Sequence, residues 1–321
     1  MHRFTFARYR FTLQPETTLR LPGFKGSAFR GGFGMAFRRA VCIQRRSHCT
    51  DCLLRRECVY SRVFETPVPP DSELMRKYAA APHPFVIEPP ETGQSDFDSS
   101  DRIVFHVTLV GQAAEYLPYF IFAFEQLGRR GFGSRINGRR GRYRLLEVRQ
   151  AAPAGDNRAA EQVVYQGESG TLLSSIASAA TWADLPLPPA GEPLVLTFHT
   201  PVRIKYQGRF ADQLDFHILF RNLLRRISML SYFHCGHRLD DSGFAELVRS
   251  AQSIRTADHA LRWQEQRRWS GRQKTSMKMG GLVGTVSYEG DLGPFLPYIA
   301  LGRHIHCGKG CTFGLGRYTI A

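Results

Sequence analysis

The sequence predicts an α+β protein made of two tandem β-α-β-β-α-β units, and three observations support this prediction. The chain has 321 residues, enough for about two domains of ordinary size. Its 43% hydrophobic residues, including 23 Phe, are ample for folded cores. The two halves also end with the same order of motifs. Each ends with an aromatic-Leu-Pro-Tyr motif, a helix, a Gly-rich segment and a Gly-Arg-Tyr triplet, and the first motif is Tyr116-Leu-Pro-Tyr119 in one half and Phe295-Leu-Pro-Tyr298 in the other. This order, repeated, predicts two tandem ferredoxin-like domains with helices on one face of an antiparallel sheet.

The first half begins with a strand and a helix. Residues 3–13 alternate apolar and polar side chains, which predicts a strand. After a Pro-Gly break, residues 26–41 place Phe29, Phe33 and Phe37 on one face at helical spacing. The other elements predicted for this domain, which we take as residues 1–185, are strands at 85–88, 102–110 and 142–149 and a helix at 114–127. Residues 151–160 are expected to form an exposed excursion, and 163–181 can belong to either half.

The second half, residues 186–321, is predicted to repeat this order after a Pro-rich linker at 186–193. A broad apolar face from Leu214 to Leu230 predicts a long helix over 212–233. The remaining predicted elements are strands at 194–205, 257–269, 281–288 and 317–320, a helix at 293–301 and a Gly-rich loop at 308–316.

Basic residues outnumber acidic ones by 43 to 28, which gives a formal net charge of +15. Such a field attracts polyanions, and an excess of Arg over Lys favours nucleic acid because guanidinium groups suit phosphates and stack on bases. The alternative is a GC-rich genome that uses Arg for any surface charge. No run approaches the roughly 20 apolar residues of a membrane span, and no apolar signal core is present at the start. We therefore expect a cytoplasmic protein with no membrane partner.

The segment from 128 to 144 is rich in Gly and Arg and contains no acidic residue. Glycine lets backbone N–H groups approach a phosphate, and guanidinium groups supply paired donors. A P-loop is excluded because the GxxxxGK[ST] pattern is absent. The alternative is a solvated basic hairpin, in which like charges would repel. The segment therefore predicts phosphate binding by Arg129, Arg130, Arg135, Arg139, Arg140, Arg142 and Arg144.

Four of the seven cysteines are clustered after the first predicted helix. Cys42, Cys49, Cys52 and Cys58 have the spacing C-x6-C-x2-C-x5-C, in which the central pair is the usual chelating unit. We predict a four-cysteine metal-binding insertion, at about 42–58, that holds a structural zinc. An iron–sulfur cluster is the alternative metal centre, and metal-free cysteines are a third reading. A catalytic zinc is not expected, because four thiolates leave no open coordination position.

Several stretches resemble the RAMP superfamily, in particular the CRISPR-associated endoribonucleases of the "Cas six" type that process precursor CRISPR RNA. The resemblance is strongest in the second half, in Gly281-Leu-Val-Gly284-Thr-Val-Ser-Tyr288 and in His306-Cys-Gly-Lys-Gly-Cys-Thr-Phe-Gly-Leu-Gly-Arg-Tyr318. Thr200-Pro201-Val-Arg203-Ile-Lys205 and Leu224-Arg225-Arg226-Ile-Ser228 are similar to the start of the family's second domain. Lys25-Gly26 with Phe29-Arg30-Gly31 resembles its first helix.

The resemblance implies tandem ferredoxin-like (RRM- or RAMP-like) domains that bind CRISPR repeat RNA and keep the mature guide, with other CRISPR effector subunits as partners. It also implies cleavage without a catalytic metal. The 2′-hydroxyl attacks the adjacent phosphate, which gives a 2′,3′-cyclic phosphate and a 5′-hydroxyl. The RNA-binding residues that it implies, beyond the Arg segment, are Lys25, Arg30, Arg203, Arg209, Arg225, Arg226, Gly308, Gly310, Gly314, Gly316 and Arg317.

The catalytic residues depart from the family pattern, in which a His lies in or just after the first helix. Residues 26–41 contain no His, and His48 falls inside the Cys cluster. His306 flanks the C-terminal Gly-rich loop, and an imidazole suits acid–base work near neutral pH. We predict His306 as the acid or base. Further candidates, acting by positioning and charge stabilisation, are Lys309, Tyr232 and Lys205, with Arg30 beside them.

Two other functions remain open on the sequence. One is a catalytically inactive RAMP subunit that binds crRNA in a CRISPR effector complex, which the missing helix His supports. The other is a basic structural protein that uses the cysteine segment to bind DNA.

Overall fold

The structure is a computed structural model that describes residues 3–45, 47–151, 161–173, 179–189, 191–239, 242–270 and 275–321. It is a mixed α+β protein with antiparallel sheets, as the sequence predicts. The expected excursion at 151–160 lies outside the described residues apart from Ala151. None of the described helices is long and apolar enough to cross a membrane.

The described part of the first half has two helices, α1 (Lys25–Val41) and α2 (Leu117–Arg130). Its strands are β1 (Thr5–Pro15), β2 (Leu19–Arg20), β3 (Phe85–Glu88), β4 (Asp96–Phe97), β5 (Ile103–Val110), β6 (Phe132–Ile136), β7 (Arg139–Gly141), β8 (Tyr143–Ala151), β9 (Gln162–Gln166), β10 (Thr171–Leu172) and β11 (Ala180–Thr181). The main sheet has the order β10-β9-β8-β1-β5-β3, with β11 also paired to β1, and a smaller sheet has the order β4-β2-β6-β7. Strands β9, β10 and β11 all join this main sheet. The described strands of segment 163–181, which by sequence can belong to either half, therefore pair with strands of the first half.

The second half contains, among its described residues, α3 (Phe216–His234), α4 (Phe244–Ser250) and α5 (Leu296–Ile305). Its strands are β12 (Leu194–Val202), β13 (Lys205–Tyr206), β14 (Arg209–Phe210), β15 (Arg255–Gln264), β16 (Arg267–Ser270), β17 (Thr275–Lys278), β18 (Gly281–Glu289) and β19 (Tyr318–Ile320). The main sheet has the order β15-β18-β12-β19, and β13–β14 and β16–β17 are separate hairpins.

The two halves have the same connectivity. In the first, β1-α1-β3-β5-α2-β8 places its four strands in the order β8-β1-β5-β3, and in the second, β12-α3-β15-β18-α5-β19 gives the matching order. Helices α1 and α2 pack through Phe33, whose ring centroid lies 4.5 Å from that of Phe120. In the second half the rings of Phe220 and Tyr298 meet edge to face at 5.4 Å. The predicted apolar faces are therefore the faces that the helices bury.

The repeated Gly-Arg-Tyr triplet has a shared structural role. The Tyr143 hydroxyl donates a hydrogen bond of 2.7 Å to the carbonyl of Phe124, and the Tyr318 hydroxyl does the same to Ile299 at 2.7 Å. In both halves the tyrosine therefore ties the last strand of the unit to the helix before it.

Three elements of the second half differ from the sequence prediction. The predicted strand at 257–269 is two strands. Strand β15 pairs with β18 from Arg255 to Gln264, whereas β16 pairs with β17. Helix α4 has only seven residues, too few for a periodic signal. The predicted strand at 194–205 ends at Val202, and residues after it form the β13–β14 hairpin. The division of the chain at residues 185 and 186 stays a prediction.

Candidate functional site

A cleft of about 920 Å³ lies beside α1, and both halves of the chain line it. The first half contributes Arg30 and Arg38 of α1, and the second half contributes Arg268 of β16 and Phe313 of the Gly-rich segment. Glu65 is the one acidic residue against the three arginines among the described lining residues. The cleft therefore carries an excess of positive charge at a junction between the halves.

Aromatic rings hold two of these guanidinium groups in place. The Arg30 Cζ lies 4.1 Å from the ring centroid of Phe64 and 5.0 Å from that of Phe313. The Arg268 Cζ approaches Phe313 at 4.8 Å. Burial lowers the pKa of Arg268, yet a guanidinium keeps its proton at any ordinary pH. Cation–π contacts thus fix two positive charges on one wall of the cleft.

Two histidines line the same cleft. His83 stacks on Phe64, and its Nδ1 lies 3.1 Å from the Thr66 hydroxyl oxygen. Burial lowers the pKa of His83 to about 3, so this imidazole is neutral near pH 7. His48, which follows α1, is exposed to solvent. It is therefore the cleft histidine that a bound molecule can reach.

The residue that the sequence favoured as acid or base, His306, is fully buried. Its Nδ1–H donates to the Leu315 carbonyl at 3.1 Å, and its Nε2 lies 3.6 Å from Glu88 Oε1. Glu88 is buried as well and accepts a hydrogen bond of 2.7 Å from Arg8. His306 and Arg8 hold the pKa of the Glu88 carboxyl well below its usual range, against the effect of its burial. The His306 ring thus has no exposed surface for a substrate, and its catalytic role stays a prediction.

The C-terminal Gly-rich segment is packed into the protein. Gly308 N–H donates to Asn222 Oδ1 at 2.9 Å, Gly314 N–H to the Cys311 carbonyl at 2.9 Å and Gly316 N–H to the Pro201 carbonyl at 3.1 Å. These three N–H groups are therefore already bound within the chain. Gly310 has a left-handed φ of 88°, and a Cβ there would lie 2.9 Å from the Leu315 side chain. The left-handed φ thus favours glycine here, and phosphate binding by the segment stays a prediction.

The Gly/Arg segment forms the β6–β7 hairpin, which turns at Asn137-Gly138 with φ values of 49° and 79°. Two positive φ values suit an Asn-Gly hairpin turn. A pocket of about 770 Å³ beside the hairpin has no acidic residue among its described lining residues, which include Arg130, Arg135, Arg139, Arg140 and Arg142. The structure thus brings together five of the seven predicted arginines.

The other two arginines of the segment have partners. Arg129 lies 3.7 Å from Glu125 on α2, and Arg144 donates to Gln14 Oε1 at 2.9 Å. Lys25 is also engaged, since its Nζ is buried and donates to the Thr92 carbonyl at 2.6 Å. Burial lowers the pKa of Lys25. Arg317 pairs with Glu91 at 3.1 Å.

Two further groups of predicted residues lie in the second half. Arg203, just before the β13–β14 hairpin, and Lys205 of β13 approach the Phe210 ring centroid at 4.7 and 5.7 Å, and Arg209 of β14 is exposed. Burial lowers the pKa of Arg203.

Along α3, the Arg226 guanidinium donates to the Ile305 carbonyl at 3.0 Å, while Arg225 is exposed. Tyr232 is half-buried and accepts a hydrogen bond of 3.4 Å from Glu73 N–H. Lys309, which lies in the C-terminal Gly-rich segment and not on α3, is exposed.

The four clustered cysteines follow α1 as free, half-buried thiols. Cys42 and Cys58 lie near enough to Cys49 to affect its ionisation, and burial raises the pKa of Cys49. In the part of the chain that the structure describes, no three His, Cys, Asp or Glu side chains are grouped closely enough to hold a metal ion. The zinc site and the cluster alternative stay predictions.

Together these features define a class: an α+β protein of two antiparallel-sheet units with basic clefts that suit a polyanion. Two family models match the chain. AF_1859_N, described as an N-terminal domain, matches residues 4–177, and CRISPR_Cas6, the CRISPR-associated endoribonuclease Cas6, matches residues 196–318. The first match covers more than half of the chain, so the chain belongs to the AF_1859_N family, and the second shows that its C-terminal part is similar to the CRISPR-associated endoribonuclease Cas6.

Known proteins support this fold. An uncharacterized protein of Archaeoglobus fulgidus is 27% identical over 158 residues, 49% of this chain and 48% of its own length. The chain thus spans about half the length of this curated relative. A Cas6 (TTHB231) product complex superposes with a TM-score of 0.60 at 15% identity, covering 98% of this chain and 100% of the other. Thermus thermophilus Cas6 (TTHB231) superposes with a TM-score of 0.56 at 14% identity. A Cas6 (TTHA0078) product complex superposes with a TM-score of 0.51 at 16% identity. Each superposition covers 99% of this chain and 99% of the other. At these identities the superpositions show the fold alone.

Proposed function

We propose that this protein is an endoribonuclease that cleaves CRISPR repeat RNA in precursor transcripts without a catalytic metal. The 2′-hydroxyl beside the scissile phosphate attacks it, the bond to the 5′-oxygen breaks, and a 2′,3′-cyclic phosphate and a 5′-hydroxyl result. The single observation that carries the proposal is the basic cleft between the two halves of a chain whose C-terminal part is similar to Cas6. The two units act as tandem ferredoxin-like domains on either side of the RNA.

The cleft holds groups suited to each part of this reaction. Arg30 and Arg268, fixed by their aromatic neighbours, stabilise the charge that develops on the phosphate. The exposed imidazole of His48 takes the proton from the 2′-hydroxyl or gives one to the leaving 5′-oxygen. His48 follows α1, as the family pattern implies for its histidine, but the sequence places it inside the cysteine cluster. Its exposure in the cleft wall distinguishes it.

Cleavage of labelled repeat RNA in EDTA tests this proposal. We expect one cut per repeat with a 2′,3′-cyclic end, and a single-turnover rate about 10²-fold lower for His48→Ala, the usual size of a lost acid–base group. His259→Ala is the matched control, because His259 is exposed on β15 and does not line the cleft. Equal rates for wild type and His48→Ala at saturating protein would reject His48 and return attention to Lys309, Tyr232 and Lys205.

A catalytically inactive crRNA-binding subunit is the second candidate function. Two observations favour it: α1 contains no histidine, and His306 is fully buried. Such a protein would bind repeat RNA tightly in the same assay and leave it uncut over hours, with other CRISPR effector subunits as its partners. A discrete cut with a cyclic end would exclude this function.

A further inference from the structure

A short segment of the first half, residues 73–78, lies against α3 of the second half. At one end, Glu73 N–H donates to Tyr232 Oη at 3.4 Å and the Glu73 carboxylate pairs with Arg238 at 2.6 Å. At the other end, Arg225 donates to Tyr78 Oη at 3.3 Å. We call residues 73–78 the bridge segment. Contacts at both ends hold it across the junction.

Tyr78 is exposed although it has partners. Its side chain is 53% accessible, and the Arg225 Cζ lies 5.7 Å from its ring centroid. The hydrogen bond from Arg225, together with the charges of Arg225 and Lys309, lowers the pKa of Tyr78. An exposed ring in contact with a guanidinium group has the composition of a single-strand nucleotide contact, since bases stack on aromatic rings while cations bind the phosphate.

The backbone places this cluster beside the cleft. Ala80, two residues after Tyr78, lines the cleft next to α1. The backbone of Lys309 is attached next to α3, the helix that carries Arg225, because its N–H donates to the Arg203 carbonyl at 2.8 Å and its neighbour Gly308 is bonded to Asn222 of α3. A strand of RNA that leaves the cleft along the bridge segment therefore meets Tyr78, Arg225 and Lys309 together.

We propose that Tyr78, Arg225 and Lys309 form a nucleotide subsite at the edge of the cleft. The Tyr78 ring stacks on one unpaired base of the RNA, and Arg225 and Lys309 bind the adjoining phosphate. This inference rests on the proposed function, because it assumes RNA in the cleft. It makes Tyr78 a binding residue and does not give it a part in proton transfer.

Binding of uncleavable RNA tests the subsite. The probe is the repeat RNA with 2′-O-methyl groups throughout, which cannot react by 2′-hydroxyl attack. We expect Tyr78→Phe to bind within twofold of wild type, because the ring remains. Tyr78→Ala should bind about 5- to 150-fold more weakly, which corresponds to the stacking of one base. Tyr119→Ala is the matched control, because Tyr119 is an exposed tyrosine on α2.

A second readout separates stacking from a structural role. The fluorescence of 2-aminopurine, placed in turn at each unpaired position, should be quenched on binding at one position by wild type and by Tyr78→Phe, but not by Tyr78→Ala. If Tyr78→Phe loses as much affinity as Tyr78→Ala, the hydroxyl anchors the bridge segment and the subsite is wrong. Unchanged affinity of Tyr78→Ala would also overturn it. Wild type that binds RNA without cutting contradicts only the proposed cleavage.

Discussion

Gly26 of α1 and Phe313 of the Gly-rich segment are in such close contact that a side chain on Gly26 would overlap the Phe313 carbonyl oxygen. The Phe313 ring also contacts the guanidinium groups of Arg30 and Arg268. A single glycine in the first half thus determines how closely the cleft wall contributed by the second half can approach α1.

Substitution of Gly26 should therefore destabilise the protein. We expect Gly26→Ala to lower the free energy of unfolding by about 1–3 kcal/mol, the usual cost of overpacking. Gly31→Ala in the same helix is the control, because no atom lies within 4 Å of the added Cβ. Since alanine favours helix over glycine by up to about 1 kcal/mol, Gly31→Ala should stabilise. Urea unfolding of both variants checks the prediction, and equal midpoints would contradict it.

Removal of the His306 imidazole should cost stability. His306→Ala leaves the buried Glu88 carboxylate without its neighbour and the Leu315 carbonyl without a donor. We expect the free energy of unfolding to fall by about 2–4 kcal/mol. Urea unfolding measures this, with His259→Ala as an exposed control. A stable His306→Ala protein with about 10²-fold slower saturated cleavage would instead support the acid–base role predicted from the sequence.

Mild acid should destabilise the protein through its buried histidines. Burial lowers the pKa of His83 and His304 to about 3, and of His106 and His234 to about 4. Below about pH 6.5 each takes up a proton in the unfolded chain but not in the folded one, so unfolding is favoured as the pH falls. Each histidine contributes up to about 1.4 kcal/mol per pH unit. Urea midpoints at pH 7.5, 6.5 and 5.5 should decline, and a constant midpoint would refute this.

Neutralising the β6–β7 hairpin should weaken RNA binding without affecting chemistry. We expect Arg139→Ala with Arg140→Ala to reduce affinity and to lower the slope of log affinity against log salt by roughly one unit for each lost phosphate contact. Saturating protein should restore the cleavage rate. The control is Arg102→Ala with Arg249→Ala, which removes the same charge from exposed positions outside this pocket. Equal salt slopes for the two double variants would show that the hairpin makes no phosphate contacts.

The proposed zinc site can be tested by metal content. Four cysteines that bind one zinc should give about one zinc per chain in freshly purified protein, and Cys52→Ser or chelation should lower Tm, because structural metal binding is coupled to folding. Cys235→Ser, outside the cluster, should keep both metal and Tm. Iron with visible absorbance would indicate the cluster alternative, and protein free of both metals would reject a metal site.

Local patterns in the sequence predicted much of the fold. The alternation of 3–13 and the spacing of Phe29, Phe33 and Phe37 predicted β1 and α1 because they follow the period of a strand or a helix. The repeated Gly-Arg-Tyr triplet predicted the duplication, and the structure gives both tyrosines the same hydrogen bond. The one-sided charge of 128–144 likewise indicated a basic segment, and the structure brings five of its seven arginines together beside the β6–β7 hairpin.

Tertiary contacts decided what those elements do. His306 follows a helix beside glycines, and no local pattern shows that its ring is buried next to Glu88, which in turn pairs with Arg8. The bridge segment contains no helix or strand, yet its contacts with α3 place Tyr78 beside Arg225. The sequence by itself determined the main helices and strands of each half, the duplication and the excess of positive charge, because these depend on neighbouring residues and on composition. Only the folded chain decided which polar groups face the cleft and which are buried, because burial depends on residues that meet from distant parts of the chain.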